Sequence, residues 1–362
     1  MRKYIFIDIY FCFIKYLIFY KYLFTFIFII LLIFLHLSPF WINSKFQSPP
    51  INLWSESFSN FNIAKELNES QDKYLYLKNK TDFYFKIRTE YLLKHNVTYN
   101  ESNMVTFQDK LNWLVIHESP QYKSFLVDKI KLHDYSKKIL GKDICVPILK
   151  VYDNENEINF NELPNKFVIK LNHGSGMNII CDDKSKLNYH EVLEKLNIWK
   201  NINYGFLGAE FQYMYVKRRI FVEKFLSKDL CDYKIFCFNG EPKFIQVRKL
   251  INSNNHTYLH NNYDPNWRLT EFESGLYGYI RDPNIKIKKP KHLKIMLKYA
   301  KLLSQEFVFV RVDLYEYNNQ VYLGELTFTP TNSFVQWKNR EQNLKIAKFM
   351  DIKKIKKYLY NN

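Results

Sequence analysis

Phe307-Val308-Phe309-Val310-Arg311-Val312-Asp313-Leu314-Tyr315 and Gln320-Val321-Tyr322-Leu323-Gly324-Glu325-Leu326-Thr327 read as two strands joined at Asn318-Asn319. Two short residues between apolar, β-branched runs are the signature of an antiparallel hairpin. The same grammar appears upstream, where Asn239-Gly240-Glu241-Pro242 is the turn between strands Asp232–Asn239 and Lys243–Lys249. Further strands are predicted at Val146–Val151, Phe167–Leu171, Asn178–Cys181 and Arg219–Leu226. Helical spacing marks Phe107–Ile116, Lys123–Leu140 (ended by Gly141), Tyr189–Trp199 and Pro290–Ser304. Antiparallel hairpins mixed with helices, and no internal repeat, give an α+β fold.

The hairpin carries chemistry. If its strands pair, Asp313 and Glu325 can face one another, and Arg311 shares a strand face with Asp313. Two carboxylates so placed can hold Mg²⁺ together with phosphate oxygens. The plainer reading of Arg311 and Asp313 is an ion pair along a strand. Upstream, Lys170 ends the apolar run Phe167-Val168-Ile169 and opens into Asn172-His173-Gly174-Ser175-Gly176. A lysine beside a glycine loop can hold phosphates through its charge and the loop's N–H groups, although no GxxxxGK[ST] motif is present. Glu223 could accept a hydrogen bond from an adenine amino group, and Asp232 from ribose hydroxyls; taken alone, either reads as simple surface charge. Taken together, these residues suggest an ATP-using enzyme.

Length and composition set outer bounds. A chain of 362 residues with 47% hydrophobic and 18% aromatic content is long enough for one large domain or two smaller ones. The formal net charge is +17, a value that raises the question of nucleic acid. Nucleic acid is not expected, because the lysines are spread along the chain. They accompany many Asn, Ile, Phe and Tyr residues, a joint bias that resembles an AT-rich coding sequence. The local crowds at Lys286–Lys294 and Lys353–Lys357 read as solvated surface, with an acidic substrate or an anionic membrane as the alternative. The five cysteines form no CxxC pair and no zinc spacing, and read as buried thiols.

Tyr22 to Ile42 carries no formal charge over 21 residues, a span sufficient to cross a bilayer. Arg2, Lys3, Lys15 and Lys21 precede it and Lys45 follows, which predicts a cytoplasmic N-terminus and a body on the far side. The expectation is a single-pass type II membrane protein with its body in a secretory-pathway lumen, where ATP can be supplied. Sequons at Asn68, Asn79, Asn96, Asn100 and Asn255 are compatible with a glycoprotein. The predicted organisation is a tail (1–21), an anchor (22–42), a stem with a short helix near Ile63–Leu77 (43–84), a catalytic domain (85–335) and a basic C-terminal helix or tail (336–362).

The order of these features resembles the ATP-grasp superfamily, and within it the TupA-like (teichuronopeptide biosynthesis) family. The matching stretches are Thr106–Leu114, Asp128-Lys129, Leu163–Lys170, His173–Gly176, Asp232–Pro242, Phe309–Tyr315 and Gly324–Phe328. The resemblance implies ATP held between two α+β subdomains, a carboxylate activated as an acyl phosphate, and attack by an amine. It implies that Lys170 holds phosphates, with Gly174, Ser175 and Gly176 as a lid. Glu223 would read adenine and Asp232 the ribose. Asp313 and Glu325 would bind Mg²⁺, Arg311 would stabilise charge at the transferring group, and Lys234 would contact substrate or phosphate. His173 is either a substrate contact or a plain loop residue. Two departures stand out: His133 where Arg or Lys is usual, and Thr329-Pro330-Thr331-Asn332-Ser333 without glycines after the proline. Thr327 stands where Asn is common in the superfamily, as expected in this family. The implied activity is a membrane-anchored, ATP- and Mg-dependent carboxylate–amine ligase acting on a carboxylate-bearing glycan or peptide. A type II glycosyltransferase (lacking Asp-x-Asp here) and a non-catalytic glycan binder are the alternatives.

Overall fold

The computed structural model describes residues 80–354, apart from 229, 253–256, 276–278, 286 and 336. The expected tail, anchor, helix near Ile63–Leu77 and nearly all of the stem lie outside the described residues, as do residues 355–362. Among the described residues, no helix is long and apolar enough to cross a membrane.

Among the described residues, ten strands form two sheets. The smaller has the order β1-β4-β2-β3, built from β1 (Ile148–Tyr152), β4 (Ile220–Lys224), β2 (Phe167–Leu171) and β3 (Asn178–Cys181), all antiparallel. Alternation sends Phe167, Ile169, Leu171, Ile220 and Val222 to one face, where Val192 and Leu196 of α5 (Tyr189–Asn201) close the core. Lys170 and Glu223 therefore emerge on the opposite face.

The larger sheet has the order β10-β9-β5-β6-β7-β8. Its strands are β5 (Asp232–Phe238), β6 (Glu241–Asn252), β7 (Thr257–Tyr263), β8 (Tyr279–Ile280), β9 (Phe309–Tyr317) and β10 (Gln320–Thr327), with only the β7–β8 pair parallel. Both hairpin turns have two central residues with positive φ, Asn239 (50°) with Gly240 (81°) and Asn318 (47°) with Asn319 (60°). That geometry matches the twist of the strands it joins. One face of this sheet packs Tyr233, Ile235, Val310, Val312 and Leu314 against Leu293, Met296, Ala300 and Leu303 of α7 (Leu293–Ser304). The other face is divided. At one end Phe236, Phe238, Phe244 and Phe309 meet Phe107, Leu111 and Leu114 of α2 (Phe107–His117) and Ile346 and Ala347 of α8 (Arg340–Ala347). At the other end the same alternation places Asp232, Lys234, Arg311 and Asp313 on this face. The remaining helices are α1 (Lys80–Lys94), α3 (Pro120–Val127), α4 (Leu132–Leu140) and the single turn α6 (Tyr204–Leu207).

Two expectations are corrected. The helix predicted over Lys123–Leu140 is two helices, α3 and α4, separated by Asp128–Lys131. Asp128 causes the break: its Oδ1 accepts from the backbone N–H of Ile130 and from Asn172 Nδ2, both at 2.9 Å, so the side chain competes with the helical ladder. Strand β7 was not expected. Its His260-Asn261-Asn262 looks like a loop, yet Asn261 and Asn262 are fully buried, and their amides donate to the carbonyls of Asp282 and Phe272 at 3.0 Å. The amide nitrogens are thereby satisfied, whereas Oδ1 of each side chain has no hydrogen-bond partner among the described residues.

Candidate active site

Strict hairpin pairing outward from Asn318-Asn319 would put Asp313 opposite Gly324 and send Glu325 into the core. The register shifts between Leu323 and Glu325, so that Glu325 pairs with Asp313 and Thr327 with Arg311. One extra residue reverses the facing of everything after it. Leu323 and Leu326 accordingly both enter the core, while Glu325 and Thr327 join Arg311 and Asp313. Gly324 is needed there, since a Cβ would lie 2.6 Å from the Tyr315 ring.

Asp313 is only 1% exposed and is held by charged donors. Arg311 Nε and Nη2 bond Oδ1 and Oδ2, each at 2.7 Å, and Lys234 Nζ bonds Oδ2 at 2.7 Å. The ion pair anticipated along this strand is therefore present. Lys234 also lies 2.8 Å from Asp232. Burial opposes the Lys234 charge, but Asp232 and Asp313 raise its pKa overall. Arg311 Nη2 extends to Glu325 Oε1 at 3.3 Å and to Thr327 Oγ1 at 3.1 Å, and that hydroxyl donates to Glu325 Oε1 at 3.1 Å. Burial disfavours the Glu325 charge, yet Lys129, Arg311 and Lys234 together hold its pKa down at about 2. Thr327 thus braces Glu325 at the position where Asn is common in the superfamily.

The smaller sheet supplies the cationic wall. Lys170 forms an ion pair with Glu223, and both side chains are mostly buried. Lys129, presented by the α3–α4 break, donates to the Gly174 carbonyl at 2.6 Å and lies 3.8 Å from Glu325 Oε2. It therefore links the glycine loop to the acid of the hairpin. Burial lowers its pKa, and Glu325 opposes that shift. Asn172 anchors the loop's root, donating to Asp128 and to the Lys217 carbonyl and accepting from Arg219 N–H, all within 2.9 Å. Gly174 sits so close to Tyr204 that a Cβ would fall 2.7 Å from its ring, and Gly176 has φ of 76°. Gly176→Ala is expected to lower stability by about 1 kcal/mol, because an L side chain is strained in that conformation; a urea midpoint measures it.

The structure does not bring every anticipated residue to the site. His173 is fully buried, and its Nε2 faces the Ile202 carbonyl at 3.3 Å. Burial, reinforced by Arg218, pushes its pKa down to about 4. Of its two readings, the structure supports a loop-packing residue. His133 turns to Asp143 at 2.8 Å and stays on α4. The segment after Pro330 shows why glycines were expected: Thr331, Asn332 and Ser333 have φ of 51°, 53° and 63°. Arg88 of α1, fully buried, holds this strained run by donating from Nη2 to the Asn332 carbonyl at 2.5 Å. Its other nitrogens donate to Asn112 at 2.8 Å and to the Gly208 carbonyl at 2.7 Å.

A cavity of about 260 Å³ joins these parts, lined by Lys234, Arg311 and Glu325 and also by Tyr204, Glu210 and Thr329. Reading the sequence identified the first three. It missed Lys129 as a site residue, together with Arg88, Glu210 and Arg248; the last lines the cavity with its guanidinium 4.0 Å from the centre of the Tyr258 ring. The lone apolar-rich context of Glu210, in Gly208-Ala209-Glu210-Phe211, was the one available signal.

The donor set fits a magnesium–polyphosphate group. Asp313 and Glu325 offer hard oxygens, and Lys129, Lys170 and Arg311 offer positive charge for phosphate. Asp232 Oδ1 is buried with no hydrogen-bond partner among the described residues, which suits it to a ligand hydroxyl. A small antiparallel sheet with a lysine and a glycine loop, together with a larger sheet bearing Arg-x-Asp opposite Glu, defines an ATP-grasp domain. The chain belongs to the TupA-like ATPgrasp family, whose model matches residues 109–350. No curated protein sequence matches it. Among solved structures it is similar to D-alanine-D-alanine ligase from Helicobacter pylori, at 16% identity over 67% of this chain and 69% of that one, with a TM-score of 0.35. L-amino acid ligase from Bacillus licheniformis gives 12% identity over 69% and 55%, with a TM-score of 0.39. N5-carboxyaminoimidazole synthetase from Staphylococcus aureus gives 13% identity over 60% and 48%, with a TM-score of 0.34. The chain spans about half the length of the last two. Likenesses this distant identify neither substrate nor reaction.

Proposed function

We propose that this chain is an ATP- and Mg²⁺-dependent ligase that activates a carboxylate as an acyl phosphate and joins it to an amine. The observation that carries the reading is the bulged hairpin, which sets Glu325 opposite Asp313 with Arg311 bonded to both. In this reading Lys170 and Lys129 hold phosphates, with Gly174–Gly176 closing over them. Glu223 receives the adenine and Asp232 the ribose. Arg311 and Lys234 face the transferring group, where fixed cations stabilise developing negative charge. Asp313 and Glu325 would hold Mg²⁺, which neutralises phosphate charge when bound.

The finer assignment rests on the sequence. The uncharged run 22–42, with basic residues before it, supports a single-pass anchor that places the domain in a secretory-pathway lumen. A carboxylate-bearing glycan or peptide is the substrate proposed for that setting.

The test is calorimetric titration of ATP into the full chain in detergent, with and without Mg²⁺, beside Asp313→Asn combined with Glu325→Gln. Mg²⁺-dependent binding that the double variant loses is the expected result. Folded wild-type protein that binds no ATP would sink the reading.

A further inference from the structure

The cavity is lined by groups of opposite chemistry. Around Arg311 and Lys234 it suits anions. Its wall also includes Glu210, a carboxyl only 4% exposed. Among the described residues, no ion pair joins it to Lys, Arg or His. Arg88, the cation facing it from α1, spends its nitrogens on Asn112 and on the carbonyls of Gly208, Ala209 and Asn332. The one hydroxyl donor to Glu210 Oε1 is Thr329. Gln212 Nε2 donates to the same hydroxyl oxygen at 2.8 Å, which turns the Thr329 proton toward the carboxyl. A buried acid arranged to accept, opening on a cavity and in no ion pair among the described residues, is unexplained by packing.

We propose that Glu210 receives the ammonium group of the incoming nucleophile and takes its proton. The inference rests on the ligase reading above. The step balances as follows. An ammonium R–NH3⁺ gives one proton to the Glu210 carboxylate and becomes the free amine. Its nitrogen lone pair attacks the acyl carbon, forming C–N as the C–O bond to phosphate breaks. A second nitrogen proton leaves with the departing phosphate as HPO4²⁻. Glu210 then returns its proton to solvent once product has left. The third hydrogen stays on the amide.

Geometry apart, the acid is tuned for this task. Burial raises its pKa to about 7, against the pull of the Thr329 hydrogen bond. The charged or titratable groups facing it are Arg88 and Tyr91 of α1, Lys129, Tyr204 of α6, Tyr213 and Glu325. A carboxylate at this position binds ammonium only above its own pKa, so binding should strengthen as pH rises through neutrality.

The probe is methylammonium, followed by saturation transfer from the full chain to its methyl protons, with MgADP bound. Wild type is expected to bind it at pH 8 and to lose it on acidification. Glu210→Gln keeps the shape of the neutral acid and is expected to weaken methylammonium by roughly tenfold or more while MgATP binding stays. Thr329→Val removes the lone donor and should shift the pH onset upward, an effect that simple packing would not produce. Equal methylammonium affinity in wild type and Glu210→Gln overturns the proposal, as does a wild type that binds MgATP but no methylammonium. Failure to bind MgATP as well would bring down the ligase reading and this one with it.

Discussion

Arg311→Ala is expected to lower folding stability by about 3 kcal/mol, the low end of the cost of stripping a buried charge of its partner. Asp313 loses both bonds of the guanidinium fork and keeps only Lys234. Glu325 and Thr327 lose a shared donor at the same time. Arg311→Lys should recover little, because an ammonium cannot span two carboxylate oxygens and a hydroxyl from one position. Urea denaturation of the three proteins reads the effect. An unchanged midpoint for Arg311→Ala would mean that Asp313 carries a proton in the folded protein and that the described network is not ionic.

The second large effect has the opposite sign. Glu210 has a folded pKa of about 7, raised by burial above the ordinary glutamate value of 4.5. A raised acid favours the protonated form, so the fold is at full strength below pH 4.5 and loses stability as pH climbs from 4.5 to 7. Above that window the loss is roughly 3 kcal/mol, from about 1.4 kcal/mol per pKa unit. Glu210→Gln mimics the protonated acid and escapes the loss. The variant should therefore be the more stable protein at pH 8 by about 3 kcal/mol and nearly equal to wild type at pH 4.5. Chemical denaturation at the two pH values measures this, and a variant less stable at pH 8 would refute it. A residue whose removal strengthens the fold is kept for another reason.

Much of this site was legible because it obeys local rules. The Asn-Asn and Asn-Gly turns fix two hairpins, and alternation along β5 and β9 places Lys234, Arg311 and Asp313 on one face. Glu325 was legible only in part. Simple counting from the turn sends it to the wrong side, and the bulge at Gly324 restores it, a correction that depends on the Tyr315 ring crossing the glycine. Lys129 was hidden because Asp128 is the sole local hint of a break in Val127-Asp128-Lys129-Ile130. Its Oδ1 accepts from the Ile130 N–H, and Asn172, 44 residues away, holds it there. Glu210 was hidden for the same reason: its partner Thr329 lies 119 residues on. Contacts this distant in sequence leave no periodic trace.

The buried guanidinium of Arg88 has a practical corollary. It lies outside residues 109–350, the stretch shared with the family, yet through the Asn332 carbonyl it clamps a left-handed run of which Thr331 and Asn332 wall the cavity. A recombinant fragment trimmed to the shared stretch would keep the Arg311–Asp313–Glu325 hairpin and lose the clamp. Thr331, Asn332 and Ser333 would then relax toward ordinary backbone angles. Such a fragment should still retain nucleotide and have lost the shape of the cavity wall beside Glu210, so an acceptor screen run on it would return false negatives.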